Sequence, residues 1–417
     1  MKILFLTDNF PPEVNAAASR VYERAVYWAK WGHDVTVITC APNFPQGKVY
    51  PGYKNKWWQT EEMNGIKVIR VKTFIAKNQG FLLRTLDFVS YMIMAVINGA
   101  FLQKPDVVIS TSPQFFTAVG GYLLSIIKRR PFVFEIGDLW PESIRAVGAL
   151  RNEKLYRTIV RLELYLYKKA KLIIAQTSAF KQNLVKRGIT EDKIQVVMNG
   201  VDTTIYRPQE KCQAKLSHFQ LNEDDFVVAY VGTHGMAHDL HTVLKSAEIN
   251  ISNKKIKYIF VGEGAAKQSL VDYKKKHTLT NVDFYNAVPK TEMPAVWSVC
   301  DAILIPLKND QTFSTVVPSK LFEAMAMAKV IILMAPEGEA SKILCQHQCG
   351  IWIESENPNN LSDVILNLYN SSDEMKLYAE NALNSSILYT RENQSAQVIH
   401  ALESIADVMP SCNKVKE

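Results

Sequence analysis

Residues 2–39 read KILFLTDNFPPEVNAAASRVYERAVYWAKWGHDVTVIT, the pattern of a strand, a helix and a second strand. The apolar, β-branched runs Lys2–Thr7 and Asp34–Thr39 flank an amphipathic segment from about Ala17 to Trp31, and Gly32 ends that segment. Strands joined through a helix are typically parallel, because parallel pairing needs a long crossover connection. The segment therefore predicts a βαβ unit.

The same alternation continues along the rest of the chain. In the first half it predicts further strands at Lys67–Val71, Val107–Ser110, Phe132–Ile136, Leu172–Gln176 and Gln195–Met198. In the second half it predicts strands at Val227–Val231, Tyr258–Val261, Val282–Tyr285, Ala302–Pro306, Val330–Leu333 and Gly350–Ile353. The predicted class is α/β, with two doubly wound, Rossmann-like domains whose parallel sheets face each other across a ligand cleft.

A polar seam near residues 199–225 separates the two predicted domains. We expect residues 1–200 to form the first domain and residues 201–385 to form the second. Residues 386–417 are predicted to form a C-terminal helix that packs back on the first domain.

The composition is that of an ordinary globular protein, with 47% hydrophobic and 21% charged residues among 417. Six scattered cysteines do not make a disulfide framework, and the first apolar run is too short for a signal peptide, so we expect a cytoplasmic protein. Charge is uneven: residues 1–200 hold 28 basic and 15 acidic side chains, whereas residues 201–417 hold 20 and 26. The first domain is therefore basic and the second mildly acidic.

Two segments of the basic half raise the question of a membrane or a polyanion. Residues 81–102 are strongly apolar, but only the 16 residues from Phe88 to Gln103 are free of charge, too few to span a bilayer. A buried core helix is the favoured interpretation, and a helix in the membrane interface remains open. The run Arg145–Arg187 has eleven basic and two acidic residues, which suits anionic lipid, a phosphorylated ligand or nucleic acid, or simply a solvated helix face.

Two strand-to-helix turns have features of anion sites. Asn15 to Arg20 lie at the first such turn, which contains three alanines instead of the GxGxxG of a dinucleotide fold, so a nicotinamide dehydrogenase is disfavoured. In STVVPSKLFEAMAMAKVIIL, residues 314–333, Pro318 suits the first helical position.

The helix that starts there offers groups for a nucleotide diphosphate. The amides of Ser319 and Lys320 would face an anion, with the hydroxyl and the ammonium adding contacts. Glu323 would lie about 6 Å further along the same face, where a ribose diol could bind. The alternative is a capped amphipathic helix with a solvated glutamate.

Five motifs in order give the chain a family resemblance: DLWPES at 138–143, NGVD at 199–202, GTHGMAHDL at 232–240, VGEG at 261–264 and PSKLFEAMA at 318–326. Over essentially its whole length the chain resembles family 4-type retaining glycosyltransferases of the GT-B fold. Within that family it is similar to bacterial O-antigen and capsule enzymes, among them N-acetylfucosamine transferases.

The resemblance implies a set of donor-site residues. Glu323 would bind the ribose, and Thr315 stands where the family has a further glutamate. Relatives carry an arginine and a lysine after the glycine that matches Gly232, and this chain does not, so Lys320 is the expected source of positive charge. The remaining expected donor contacts are Ser319, Val316, Val317, Thr233, His234, His238, Gly262, Glu263, Gly264, Asn15 and Ala16.

The DLWPES segment supplies the expected catalytic residues. Asp138 and Glu142 are carboxylates four residues apart, and Asp138 is expected to act as a general base or to stabilise oxocarbenium charge. Ordinary helix capping by Asp138 is the competing explanation. Several relatives have a histidine or an arginine before this aspartate, where this chain has Gly137. The expected acceptor-side residues are Arg20, Trp140, which can stack on a sugar ring, and Asn199.

The expected chemistry needs no cofactor. The family implies that the departing diphosphate itself serves as base for the acceptor hydroxyl. No Asp-x-Asp motif occurs, so no metal is expected, and neither the histidines at 234, 238 and 241 nor Cys345-x-His347-x-Cys349 have zinc-binding spacing.

The predicted function is transfer of a sugar, for example L-FucNAc, from a UDP-sugar to a polyprenyl-diphosphate-linked saccharide. The enzyme would be peripheral on the anionic cytoplasmic face of the inner membrane, docked through its basic first domain. A GT-B UDP-sugar 2-epimerase is one alternative, and a catalytically silent scaffold subunit, suggested by Thr315 and Gly137, is another. A nucleic-acid partner is not expected, because no recognition motif accompanies the basic run.

Overall fold

The computed structural model describes residues 1–406 except 14, 45, 76–80, 113, 143–144 and 146–151. The chain forms two compact units, Met1–Met198 together with the segment that begins at Glu392, and Asn199–Arg391. Residues 386–391, which the sequence assigned to the returning C-terminal helix, therefore lie in the second unit. The part of the chain described here contains no helix long and apolar enough to cross a membrane.

The first unit is built on a mostly parallel sheet. Its strands are β1 (Lys2–Leu6), β2 (Asp34–Cys40), β3 (Trp58–Met63), β4 (Ile66–Val71), β5 (Val107–Thr111), β6 (Phe132–Ile136), β7 (Leu172–Ala175) and β8 (Ile194–Val196). Among the described residues the order is β3-β4-β2-β1-β5-β6-β7-β8, and the pair β3–β4 is antiparallel.

Helices cover both faces of this sheet. They are α1 (Ala16–Lys30), α2 (Phe81–Ala100), α3 (Phe115–Lys128), α4 (Glu153–Lys169), α5 (Ser178–Lys186) and α14 (Arg391–Glu403). On one face Trp28 of α1 packs on Phe5, and its indole N–H donates to the Ser395 carbonyl of α14 at 3.0 Å. On the other face Tyr91 of α2 and Leu124 of α3 pack on the strands.

The second unit has an all-parallel sheet. Its strands are β9 (Phe226–Val231), β10 (Ile256–Val261), β11 (Val282–Tyr285), β12 (Ala302–Pro306), β13 (Val330–Met334) and β14 (Gly350–Ile353), in the order β11-β10-β9-β12-β13-β14. Its helices are α6 (Gln213–His218), α7 (Leu240–Ile249), α8 (Lys267–Lys276), α9 (Met293–Ser298), α10 (Ser319–Ala326), α11 (Glu339–His347), α12 (Pro358–Asn370) and α13 (Ser372–Ser386). Val228, Tyr258, Leu304 and Ile332 centre its core.

Short 3₁₀ turns join several of these elements. They lie at Glu191–Lys193, Met236–His238, Asn250–Ser252, Lys290–Glu292, Gln311–Thr315 and Ile387–Tyr389. Because all strands of the second sheet are parallel, the loops after β9, β10 and β12 reach the same edge, where the sequence places its donor motifs.

Candidate functional site

The N-terminus of α10 lies at the carboxyl edge of the second sheet. The sequence predicts Pro318 as the first helical residue, but the structure has it one position earlier as the N-cap, with an extended ψ of 136°. The Leu321 N–H donates to the Pro318 carbonyl at 3.1 Å, so the amides of Ser319 and Lys320 precede the first hydrogen bond of the helix. This is the arrangement that suits an anion.

Lys320 folds across the end of β9. Its ammonium lies 4.1 Å from the centre of the Tyr230 ring. Gly232 makes this possible: at φ +136°, a Cβ at that position would lie 2.5 Å from Cε and 2.6 Å from Nζ of Lys320. Burial lowers the pKa of Lys320 to about 8, and Glu323 opposes that shift. Within the described residues no carboxylate lies within ion-pair distance of this ammonium, so it can accept an external anion.

Glu323 is a partly buried carboxylate surrounded by positive charge. Burial raises its pKa, and Lys290, Lys320 and Arg391 act against that rise. Lys290 and Arg391 are distant in the sequence and were missed by the sequence analysis. Burial lowers the pKa of Lys290 to about 8. Three cationic side chains thus act on one carboxylate, a charge balance that suits an anionic ligand.

Asn199 belongs to this surrounding shell of the second unit. It is 8% exposed, and its side-chain oxygen accepts from Arg391 Nη1 at 2.8 Å. Tyr206 lies near the same groups. Burial and the nearby Glu323 raise its pKa, whereas Arg391 lowers it. Asn199 was predicted as an acceptor-side residue, and here it orients Arg391.

One predicted donor residue, His234, differs from the expectation. His234 was expected to contact the donor, but its side chain is 0% exposed and lies among Tyr230, Phe260 and Phe284. Neither ring nitrogen has a hydrogen-bond partner, and burial lowers its pKa to about 4. Its imidazole is therefore packed in the aromatic core of the unit and does not face the site.

His234 instead fixes the Gly262–Gly264 turn through its main chain. Its N–H donates to the Glu263 carbonyl at 2.9 Å, and its carbonyl accepts from Ala266 at 2.9 Å. The Glu263 carboxylate pairs with Lys267 at 2.8 Å. The turn is therefore held next to the end of β9.

The other predicted donor residues follow the same edge. His238 hydrogen-bonds the Pro306 carbonyl, and burial, with Lys320 nearby, lowers its pKa to about 3, so it is neutral. The Thr233 carbonyl accepts from the Tyr230 hydroxyl at 2.6 Å. The Thr315 hydroxyl donates to the Thr312 carbonyl at 2.7 Å, and Val316 and Val317 follow as partly buried residues. Among these residues, Gly232 and His238 lie next to Lys320.

In the first unit, the predicted residues of α1 have structural partners. Asn15 caps the helix, accepting from the Ala18 N–H at 2.9 Å, and Ala16 is its first residue. Arg20 was expected on the acceptor side but is 4% exposed, with Nε 2.9 Å from Glu135 Oε1. Its guanidinium also donates to the Thr111 hydroxyl at 2.9 Å. Arg20 is therefore a buried ion-pair residue.

Arg20 also explains the glycine before Asp138. A Cβ at Gly137 would lie 2.8 Å from Arg20 Nη2 and 2.5 Å from the Ser112 carbonyl oxygen. The guanidinium thus occupies the space that a larger residue 137 would need, and brings positive charge to Asp138 from α1. Burial raises the pKa of Asp138 to about 6, and Arg20 lowers it.

Glu142 and Trp140 have partners of their own. Glu142 Oε1 lies 3.2 Å from Arg187 Nη1, and Arg187 also binds Glu163 at 2.6 Å. Trp140 stacks on Phe115 with ring centres 4.8 Å apart, so one of its faces is already covered. Asp138 and Glu142, predicted as a carboxylate pair, therefore have separate cationic partners.

Three carboxylates of the first unit were not predicted as site residues from the sequence. Glu13 Oε1 accepts from the N–H groups of Asn43 and Phe44 at 2.7 and 2.8 Å, and burial raises its pKa to about 7. Burial and Asp8 raise the pKa of Asp87 to about 7. Asp8 directly follows the first predicted strand, which was the available signal. Nowhere in the described part of the chain do three or more His, Cys, Asp or Glu residues group as a metal site.

Comparison with known families now decides the class of protein. Residues 17–205 match the family described as Glycosyltransferase Family 4, and residues 213–385 match the family described as Glycosyl transferases group 1. The chain is a glycosyltransferase of the family 4 type. This glycosyltransferase is 22% identical over 358 residues to WcaI of Escherichia coli K12, named for colanic acid biosynthesis, covering 84% of this chain and 87% of WcaI.

Solved structures agree with the predicted fold. Sucrose-phosphate synthase of Thermosynechococcus elongatus superposes with a TM-score of 0.78 at 14% identity, covering 96% of this chain and 98% of the synthase. HepE of Anabaena, in complex with UDP-glucose, superposes with a TM-score of 0.72 at 18% identity, covering 97% and 100%. The predicted GT-B fold is confirmed.

Proposed function

We propose that this glycosyltransferase transfers a sugar from a UDP-sugar, with retention at the anomeric carbon. The observation that carries the proposal is the pair Lys320 and Glu323 at the start of α10, whose side chains have no hydrogen-bond partner among the described residues. The UDP and UDP-glucose complexes of HepE support the choice of nucleotide. We propose L-FucNAc or a similar N-acetylated deoxyhexosamine as the donor sugar, on the sequence resemblance alone.

The protein's contribution to the reaction is positioning and charge. The amides of Ser319 and Lys320 and the Lys320 ammonium would bind the diphosphate and stabilise the charge that develops on it as it departs. Glu323 would accept hydrogen bonds from the ribose hydroxyls. The departing diphosphate would take the proton of the acceptor hydroxyl, and we propose that no metal is needed, because Lys290, Lys320 and Arg391 supply positive charge.

We propose a polyprenyl-diphosphate-linked saccharide as acceptor and a cytoplasmic location at the inner membrane. The basic first half and the similarity to WcaI, a protein named for polysaccharide biosynthesis, support this choice. Asp138 is proposed to stabilise positive charge on the sugar ring or to act as base. Its pKa of about 6 leaves it ionised at neutral pH.

Thermal stabilisation by nucleotides tests the donor site. A ligand that binds the native state raises the melting temperature according to its affinity, so wild type, Glu323→Gln and Lys320→Met are compared with UDP, UDP-sugars, ADP and GDP. We expect a UDP-selective shift in wild type that is strongly reduced in both variants. The absence of any nucleotide shift in wild type would overturn the donor site.

A turnover assay separates the alternatives. Consumption of UDP-N-acetylhexosamine without acceptor would indicate a 2-epimerase, whereas UDP binding without transfer or hydrolysis would indicate a silent scaffold subunit. Transfer that depends on the added lipid-linked saccharide is the expected result.

A further inference from the structure

Three helices form an outer layer on the first unit, and we call α2, α3 and α4 the α2–α4 layer. At Gly99 a Cβ would lie 2.6 Å from Leu124 Cδ1, which shows how closely α2 and α3 approach. Lys128 of α3 donates to the Ala100 carbonyl at 2.8 Å. The hydroxyls of Tyr122 and Tyr165 lie 3.1 Å apart and join α3 to α4. The three helices are therefore side by side.

The layer exposes large apolar side chains to solvent. Along α2 and just after it, Leu83, Leu86, Ile93, Ile97 and Phe101 are 44%, 54%, 47%, 49% and 86% exposed. At about 100° per residue these five positions fall on one stripe, opposite the buried Tyr91 and Ala95. The neighbouring helices add Leu123, Ile126, Ile127, Leu155, Leu162 and Tyr165. α2 is thus a core helix on one face and an exposed apolar helix on the other.

The same helices and their C-terminal turns also expose positive charge. The exposed basic side chains of the α2–α4 layer and its C-terminal turns are Arg84, Lys104, Arg129, Lys154, Arg157, Arg161, Lys168, Lys169 and Lys171. Over the same described residues the exposed carboxylate is Glu153, and Arg157 and Arg145 lie next to it. The layer therefore combines an apolar stripe with a strong excess of cations.

We propose that the α2–α4 layer docks on an anionic lipid bilayer, with its axes in the plane of the interface. The apolar stripe would enter the boundary between headgroups and acyl chains, and the surrounding cations would bind lipid phosphates. The layer lies on the surface and does not cross, since none of the described helices is long and apolar enough to span. This inference rests on the proposed membrane location and is independent of nucleotide binding.

Charge favours a membrane over a second copy of the chain. A two-fold interface brings each patch against itself, so the nine exposed cations would face nine identical cations. Such like-charge contacts oppose association, whereas an anionic surface attracts every one of them. A membrane partner therefore satisfies both the apolar stripe and its charge.

Vesicle flotation of the full-length protein tests the docking surface. The probes are vesicles of phosphatidylcholine alone and of phosphatidylcholine with about one third phosphatidylglycerol. The variant Ile93→Ser/Ile97→Ser removes two stripe residues that are 47% and 49% exposed. The matched control Ile249→Ser/Leu377→Ser changes residues of the second unit that are 48% and 53% exposed.

We expect wild type and control to bind anionic vesicles at least about tenfold more strongly than neutral ones, with binding reduced by salt. The stripe variant should lose about tenfold in that affinity. Equal binding to both vesicle types, or a stripe variant that floats like wild type, would overturn the proposal. So would light scattering that shows wild type as a dimer and the stripe variant as a monomer.

The UDP thermal shift, measured on every variant, keeps the two proposals apart. A stripe variant that retains the UDP shift is folded, so its loss of flotation reports on docking. If wild type floats on anionic vesicles but no nucleotide stabilises it, the donor site fails and the docking surface stands.

Discussion

Burial drives Glu323 and Lys320 toward their neutral forms, and the charge of each opposes that change in the other. A diphosphate next to Lys320 would supply a much stronger counter-charge than Glu323 does. Ligand binding and protonation of Lys320 are therefore linked, so nucleotide affinity must depend on pH.

The direction of that dependence follows from the lowered pKa of Lys320, about 8. Below this pH the ammonium is charged and binds the diphosphate, and the charge is lost as the pH rises through the pKa. We expect the Kd of UDP, measured by calorimetry, to rise several-fold between about pH 7 and pH 9. Lys320→Met should bind weakly at neutral pH with a flatter profile. Wild-type affinity in this variant would contradict the role of Lys320.

Gly137 has a packing role that a single methyl group can test. Its Cβ would meet Arg20 and the Ser112 carbonyl, so Gly137→Ala should reduce the free energy of unfolding by about 1–3 kcal/mol. The control Gly120→Ala, in α3, meets only ordinary contacts of 3.5 Å or more and should be neutral or stabilising. Denaturant unfolding measures both. A Gly137→Ala protein as stable as wild type would show that Arg20 can move without cost.

The site was predictable where its residues are close in sequence. Ser319, Lys320 and Glu323 share a helix end, so helical geometry alone relates them. Lys290 and Arg391 approach Glu323 only when the second unit folds. Their separation in the sequence therefore could not predict this proximity. A histidine in a loop is usually polar and exposed, so the His234 side chain was expected to contact the donor. In the structure this side chain is packed among aromatic rings.

Strands and helices were predicted best where they are buried. The parallel strands were placed to within one or two residues, since continuous apolar runs mark strands that are covered on both faces. The strand β3, WQTEEM, was missed because it is a polar edge strand that pairs antiparallel with β4. For residues 81–102 the sequence left open a buried core helix or a helix in the membrane interface. In the structure, α2 has one buried face and one exposed apolar face.

A buried carboxylate of β6 pairs with two arginines of α1. Glu135 is 0% exposed and binds Arg20 at 2.9 Å and Arg24 at 2.8 Å. Glu135→Gln would remove the carboxylate charge that both buried guanidinium groups contact, and we expect a loss of about 3–5 kcal/mol in unfolding free energy. Glu153→Gln, at an exposed pair with Arg157, should cost less than about 1 kcal/mol. Equal effects in denaturant melts would rule out a special role for the buried cluster.

At the scale of the whole chain, the two units are proposed to bind different ligands. The proposed nucleotide groups Lys320, Glu323, Lys290 and Arg391 all lie in the second unit. The proposed lipid-docking helices all lie in the first unit. The two ligands are therefore expected to act on different parts of one molecule.

Hydrogen–deuterium exchange followed by mass spectrometry tests this division in a single experiment. UDP should slow exchange at α10 and at the Gly262–Gly264 turn, because ligand contacts suppress local opening of the amides they hold. Anionic vesicles should instead slow exchange in α2 and α4, and neutral vesicles should have no effect. Glu323→Gln should lose only the UDP response, and Ile93→Ser/Ile97→Ser only the vesicle response. Protection of the α2–α4 layer by UDP alone would contradict the assignment of the two ligands to separate units.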